Sequence, residues 1–251
     1  MELMDALLRG ATTERGDGVR FSLRSLLEYK RFSKVKQSDE PMMEWIRSFS
    51  EGDVFFDIGA NTGSLSLFAG RVHGGRVPVF AFEPAFDNFE ALVRNVLVND
   101  LAPAITPLQI ALLDETGIRP LHYHRLGAGS ALHAVGEAID YARRSFTPAL
   151  VQPVLTFRLD DLMDQFHLPT PTRIKLDVDG FENKVIAGAA RTLSSASCEV
   201  YLELGEDRLG DPHPTAVGEL LRSLGYEHLH TDESRSSDTY PRTFNALFGR
   251  R

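Results

Sequence analysis

Three short stretches of this sequence end apolar runs in acidic residues, two of them beside glycines, and they are where it could do chemistry. In the first, Val54-Phe55-Phe56 leads into Asp57, followed by Gly59, Asn61 and Gly63. In the second, Val77 to Phe82 leads into Glu83, twenty residues beyond Gly63. The third, Ile174-Lys175-Leu176-Asp177-Val178-Asp179-Gly180-Phe181-Glu182, is rich in acid, and Glu203 ends a later apolar run. Carboxylates at strand ends can hold cations, accept hydroxyl protons or act as general bases. A glycine loop between a strand and a helix can seat a nucleotide against the helix N-terminus.

The loop excludes two common nucleotide sites. The dinucleotide fingerprint G-x-G-x-x-G would need glycines at positions 59, 61 and 64, where this chain has Gly59, Asn61 and Ser64. The phosphate loop needs a lysine after its last glycine, and none follows Gly63. Asp57 at the strand tip repels phosphate but suits a cation. S-adenosylmethionine carries a sulfonium and an ammonium, and its carboxylate can take backbone N–H groups where the next helix begins. The pattern D-x-G-x-x-x-G therefore favours that cofactor, with Glu83 placed to accept its ribose hydroxyls. Backbone groups near Ala111, at the end of a third strand over Thr106 to Leu112, would reach the adenine.

Several elements must position these groups. An unbroken apolar run such as Val54 to Phe56 reads as a strand covered on both faces. Ser38 or Asp39 could cap a helix whose stripe is Met42, Trp45, Ile46 and Phe49, with Trp45 a core residue. Phe89, Leu92, Val93 and Val96 give a later helix its buried face. Strand alternation puts Ile174, Leu176 and Val178 on one face, and Lys175, Asp177 and Asp179 on the other. Two closing strands, near Tyr226 to His230 and Thr243 to Phe248, flank a polar loop. Pro120 to Pro153 reads as irregular, long enough for a substrate lid. It holds His122, His124 and His133; His122 and His124 could share a face as metal ligands, but ordinary histidines fit better without a third ligand nearby.

Composition narrows the classes. The chain has 251 residues, is 43% hydrophobic and carries net charge −8, which suits one α/β domain and disfavours a general nucleic-acid binder. The single cysteine, Cys198, excludes an internal disulfide and a cysteine-based zinc site. The opening MELMDALLRG lacks a signal-peptide pattern, and no apolar run is long enough to span a membrane, so a cytoplasmic protein is expected. Residues 1–37 read as an N-terminal extension and 38–251 as the cofactor-binding domain, with 120–153 its lid.

The motifs Phe56-Asp57-Ile58-Gly59-Ala60-Asn61-Thr62-Gly63, Phe82-Glu83-Pro84 and Ile174 to Glu182 resemble those of the FkbM-type methyltransferases. The resemblance implies a Rossmann-like class I methyltransferase sandwich. Its seven-stranded, mostly parallel sheet has one antiparallel C-terminal strand and helices on both faces. It also implies O-methylation of a sugar, glycan or polyhydroxylated natural product. Asp57, Gly59, Asn61 and Gly63 would line the methionine part, Glu83 the ribose, and Asp177 the transferable methyl. The family often has Glu where this chain has Asp179. Asp177, Asp179, Glu182 or a loop histidine such as His124 could be the general base, although a turn or capping role also fits Asp179 and Glu182. Alternatively Asp177, Asp179 and Glu203 could hold Mg²⁺ and lower the acceptor hydroxyl's pKa. Rival readings are N-methylation of a peptide or amino sugar, a non-catalytic cofactor-binding partner subunit and, more distantly, a nicotinamide-dependent dehydrogenase. A homo-oligomer is compatible with all of them.

Overall fold

The computed structural model describes residues 12–30, 32, 40–140, 144–205, 213–232 and 243–250. The expected caps Ser38 and Asp39, the opening MELMDALLRG and most of the polar loop before the last strand lie outside these residues. The described chain starts as a hairpin, β1 (Thr12–Glu14) and β2 (Arg20–Ser22), turned at Gly16-Asp17-Gly18. Helix α1 (Glu40–Arg47) buries Met42, Trp45 and Ile46. The Trp45 ring meets Phe49 edge-on at 4.8 Å, and its Nε1 donates to Glu199 at 2.7 Å, a core role with the polar tip satisfied.

The first half of the main sheet follows as β3 (Phe55–Ile58), α2 (Ser64–Val72), β4 (Val79–Phe82), α3 (Phe86–Val98) and β5 (Ile105–Leu108). All four residues of β3 are buried, as an unbroken apolar run requires. Phe55 and Phe56 are fully buried on opposite faces, so truncating either to alanine would cost about 3–5 kcal/mol. An insertion comes next: β6 (Ala111–Leu112), β7 (Gly117–Tyr123), β8 (Ala134–Val135) and β9 (Leu150–Phe157). The second half comprises α4 (Leu159–Phe166), β10 (Arg173–Leu176), α5 (Glu182–Gly188), α6 (Ala190–Ser195), β11 (Glu199–Gly205), α7 (His213–Ser223), β12 (Glu227–Asp232) and β13 (Thr243–Gly249).

The seven-stranded sheet runs β12-β13-β11-β10-β3-β4-β5, and β13 alone among these strands is antiparallel to the others. One apolar cluster joins the N-terminal hairpin, α1, α2 and α3 to one face; a second joins α4 to α7 to the other. This is the class I methyltransferase arrangement.

Three expectations need correction. The third strand stops at Leu108, and Ala111–Leu112 leave the main sheet to pair with Thr156–Phe157 of β9. The 120–153 stretch is irregular only in its interior, because its two ends belong to β7 and β9, which pair over their length, and β8 adds to β7. Prolines hid this pattern, since proline inside a strand argues against the strand. Pro120 faces Pro153 across the ladder, while the Pro120 carbonyl accepts the Gly136 N–H on the other side. Pro120 has no N–H to return that bond, and His122 Nε2 donates to the Gly136 carbonyl instead at 2.8 Å. His122 thus replaces a missing ladder bond.

The third correction concerns α3, which turns further than its apolar pattern indicates and buries Asn88 and Asn95 together with Ala91, Leu92 and Val96. Asn95 accepts the Ser22 N–H and donates to the Thr62 carbonyl, and Asn99 bonds both the N–H and the carbonyl of Arg20. A buried amide costs little when its polar atoms are matched, so these residues clasp the hairpin to the helix.

Candidate active site

The carboxyl ends of β3, β4, β10 and β11 open into a cavity of about 230 Å³. Crevices at this end of an open α/β sheet are where ligands bind. Asp57, Gly59, Asn61, Glu83, Ala111, Asp177, Asp179 and Glu203 all line it, as does Lys175. Two expected residues do not: Gly63 and His124. Gly63 instead leads the chain into α2 at φ 88°, where an added Cβ would stand 2.4 Å from Leu92 Cδ1. His124 is exposed, with its ring 5.1 Å from Phe146, and His133 is the histidine in the wall.

The glycine loop is held in a shape that ordinary side chains resist. Gly59 has φ 78°, and a Cβ there would come 1.9 Å from the Asp177 carbonyl oxygen. Glycine is needed for both its conformation and its lack of bulk. Asn61, at φ 52°, takes a left-handed conformation that asparagine tolerates better than most residues. Its side chain lines the cavity and reaches the insertion, with Nδ2 donating to the Ser130 carbonyl at 2.7 Å.

Beneath the loop lies a buried charge cluster. Asp57 accepts the Ser66 hydroxyl at 2.5 Å, and Lys175 Nζ lies 3.3 Å from its other oxygen. Lys175 also donates to the carbonyls of Gly59 at 2.6 Å and Ile58 at 3.2 Å, and stands 3.7 Å from Asp177. Burial alone would push the Lys175 ammonium down, but the facing Asp57 and Asp177 carboxylates outweigh it and raise its pKa. The lysine shares the polar face with Asp177, as strand alternation requires, yet its spacing carried no hint of this role. Its signal was a charge inside an apolar strand.

Glu83 is 5% exposed and satisfied on three sides. One oxygen accepts the Asn61 N–H at 2.8 Å, and the other accepts the Ala85 N–H at 3.0 Å and Asn88 Nδ2 at 3.3 Å. A carboxylate offers about four acceptor positions, so one is left. Burial pushes the group up to about 7, against the pull of those three donors and of Lys175.

The segment from Gly127 to Leu132 is strapped across this end of the cavity. Gly127 N donates to Asp87, Gly129 N to Asn88 Oδ1, and Leu132 N to Asp179 at 2.7 Å. Asn88 Nδ2 joins Asn61 on the Ser130 carbonyl. Asp179 has φ 54°, in a turn pinned by Glu182, whose Oε1 accepts the N–H groups of Val178 and Gly180. Burial raises Glu182 to about 7, and these backbone donors pull it back. The straps rest on single backbone contacts, which leave almost no trace in sequence.

The expected Mg²⁺ set does not assemble. Asp177, Asp179 and Glu203 line one cavity, but among the described residues no three acidic, histidine or cysteine side chains are placed to hold one ion. Asp179 is turned to the loop by its bond with Leu132. The donor cofactor fits better, since the groups it would need coincide. These are a glycine loop with no room for a Cβ, a strand-tip carboxylate and an acid with one acceptor position left.

Residues 57–228 match the family described as the methyltransferase FkbM domain. The chain is 27% identical over 183 residues to the hexuronic acid methyltransferase AglP of Haloferax volcanii, covering 72% of this chain and 69% of that protein. It is 31% identical over 157 residues to the 31-O-demethyl-FK506 methyltransferase FkbM of Streptomyces tacrolimicus, covering 55% of this chain and 59% of that one. Among solved structures, the methyltransferase FkbM of Methylobacillus flagellatus superposes with a TM-score of 0.52 at 17% identity, over 79% of this chain and 44% of that one. The chain thus spans less than two thirds of the FkbM relatives it matches. Sequence match, sheet order and the crevice at the strand ends agree, and the chain belongs to the FkbM domain family of S-adenosylmethionine-dependent methyltransferases.

Proposed function

We propose that this protein methylates a hydroxyl group of a sugar, glycan or polyhydroxylated natural product, with S-adenosylmethionine as donor. The observation that carries the reading is the contact between the donor loop and Asp177. Gly59 packs closely on the Asp177 carbonyl, and the acid's side chain, 39% exposed, lines the same cavity as that loop, which supports a role for Asp177 beside the transferable methyl. Bound there, the cofactor supplies an electrophilic methyl group on a sulfonium. The chain's part is to align an acceptor oxygen with that methyl and to take the hydroxyl proton.

Asp177 is the group we assign to the proton, on its carboxylate oxygen. Lys175 stands behind it and screens the Asp57 and Asp177 charges from each other. Glu83 takes a ribose hydroxyl, Asp57 and Gly59 face the methionine part, and Ala111 lies on the adenine side. Two relatives named for a hexuronic acid and for a demethylated FK506 as substrates support oxygen as the acceptor atom.

Native mass spectrometry of the purified protein tests the donor. S-adenosylmethionine or S-adenosylhomocysteine is expected, and a nicotinamide dinucleotide would overturn the reading. Asp177→Asn should abolish methyl transfer to hydroxylated glycosides while leaving S-adenosylhomocysteine affinity within about twofold, since it removes the proton acceptor and little volume.

A further inference from the structure

Asn61 and Asn88 each make more than one bond at the Glu83 end of the cavity, and together they fix Ser130 beside that acid. The Asn61 N–H donates to Glu83 Oε2, while its Nδ2 donates to the Ser130 carbonyl. Asn88 Nδ2 lies 3.3 Å from Glu83 Oε1 and 3.1 Å from the same carbonyl, so the acid and the serine share a donor atom. The Ser130 N–H donates to the Gly127 carbonyl at 3.0 Å. On either side, Gly129 N is held by Asn88 Oδ1 and Leu132 N by Asp179. The backbone around Ser130 is therefore fixed before any ligand arrives.

What remains is the hydroxyl. Ser130 is 1% exposed and lines the cavity, yet its Oγ is buried with no hydrogen-bond partner among the described residues. A hydroxyl offers one donor and two acceptor positions, and leaving all of them unmade in a buried place is costly. Such an atom in a cavity wall, on a residue whose backbone groups are both matched, points to a ligand. Glu83 indicates which one. Three of its four acceptor positions are taken, and the one left is on Oε2, the oxygen that Asn61 links to Ser130. A ribose brings two adjacent hydroxyls, and a carboxylate with one open position receives only one of them.

On the reading of Glu83 as the ribose acid of an S-adenosylmethionine site, we propose that Ser130 completes that site. One ribose hydroxyl donates to Glu83 Oε2, and its neighbour donates to Ser130 Oγ. The insertion, which carries Ser130 between β7 and β8, then holds the donor as well as flanking the cavity. Because the strap is already fixed, little ordering is needed when the ribose arrives. The hydroxyl is thus a burden to the empty fold and a contact in the loaded one. Removing it should weaken cofactor binding without weakening the fold, whereas a purely structural serine would do the reverse.

Calorimetric titration of Ser130→Ala with S-adenosylhomocysteine and with its 2′-deoxy and 3′-deoxy analogues tests this, alongside a thermal melt of the ligand-free protein. Ser130→Ala should weaken S-adenosylhomocysteine by roughly five- to tenfold, the loss of one hydrogen bond. That loss should vanish for at least one of the two deoxy analogues, because a cycle of variant and ligand isolates the single contact. The ligand-free variant should melt no lower than the wild type, since it sheds an unpaired buried hydroxyl. Unchanged S-adenosylhomocysteine affinity in Ser130→Ala, an equal loss for all three ligands, or a lowered melting temperature of the ligand-free variant would overturn the proposal. Wild-type protein that fails to bind S-adenosylhomocysteine, or binds both deoxy analogues equally well, would instead overturn the reading of Glu83, so the two failures are separable.

Discussion

Cofactor affinity should depend steeply on pH, and the reason lies in how Glu83 is surrounded. Three of its four acceptor positions are taken by Asn61 N, Ala85 N and Asn88 Nδ2. In the protonated carboxyl the proton must occupy the fourth, which is also the position open to a ribose hydroxyl. Proton and cofactor therefore compete. Burial holds this carboxyl up to about 7, so the competition falls within an accessible range. Above pH 8 the group is ionised and binding is unimpeded. Below 7 each unit weakens binding about tenfold, giving roughly 30-fold, or about 2 kcal/mol, at pH 5.5. Isothermal titration with S-adenosylhomocysteine from pH 5.5 to 8.5, in two buffers of different ionisation enthalpy, reads both the affinity and the proton released on binding. Glu83→Gln cannot titrate and should bind weakly with a flat profile. A wild-type affinity constant across that range, or a slope that persists in Glu83→Gln, would refute the assignment of Glu83 to the ribose.

Other perturbations test the remaining geometry. Gly59→Ala combines a left-handed φ with a Cβ 1.9 Å from the Asp177 carbonyl, so it should cost about 3 kcal/mol or more and lower Tm by roughly 6–12 °C in a thermal melt. Gly52→Ala, also at positive φ but with nothing within 4 Å, should cost only about 1 kcal/mol; equal losses would show that crowding at Gly59 is not the cause. Asp179→Ala removes the acceptor of the Leu132 N–H and should speed hydrogen exchange over residues 127–133, whereas Asp179→Asn keeps an acceptor and should leave exchange unchanged. Loss of methyl transfer in Asp179→Asn with exchange unchanged would assign Asp179 to the chemistry instead. Glu83 and Glu182 are both raised to about 7, so the folded protein keeps protons that the unfolded chain releases. Their contribution to stability therefore declines as pH rises from about 4.5 to 7, by up to about 3 kcal/mol each, and Glu182→Gln should flatten urea-unfolding stability over that window.

The parts of the fold legible in the sequence are those governed by short-range rules. Buried strands announced themselves as apolar runs, the glycine loop by spacing, and the Trp45 helix by its stripe. The insertion was harder to read because Pro120 and Pro153 imitate a loop, and only their pairing across a ladder, with His122 supplying the bond Pro120 cannot make, shows that they are strand residues. The α3 face was misjudged because Asn88, Asn95 and Asn99 look like surface residues until their partners on distant segments are seen.

A similar division runs through the site. By itself the sequence determined the glycine loop, the acid at Glu83 and the acid-rich turn at Asp177, because each is a local motif, and the proposed roles toward a sulfonium, a ribose and a hydroxyl follow from their residue types. Tertiary structure decided what surrounds them. It brought Lys175 under Asp57, set Asn61 and Asn88 against Ser130, turned Asp179 to Leu132, left His124 outside, and aligned Glu203 and Asn245 beside Asp177. Those contacts join residues tens to more than a hundred positions apart. They depend on sheet register and on single backbone hydrogen bonds, which local residue patterns do not encode.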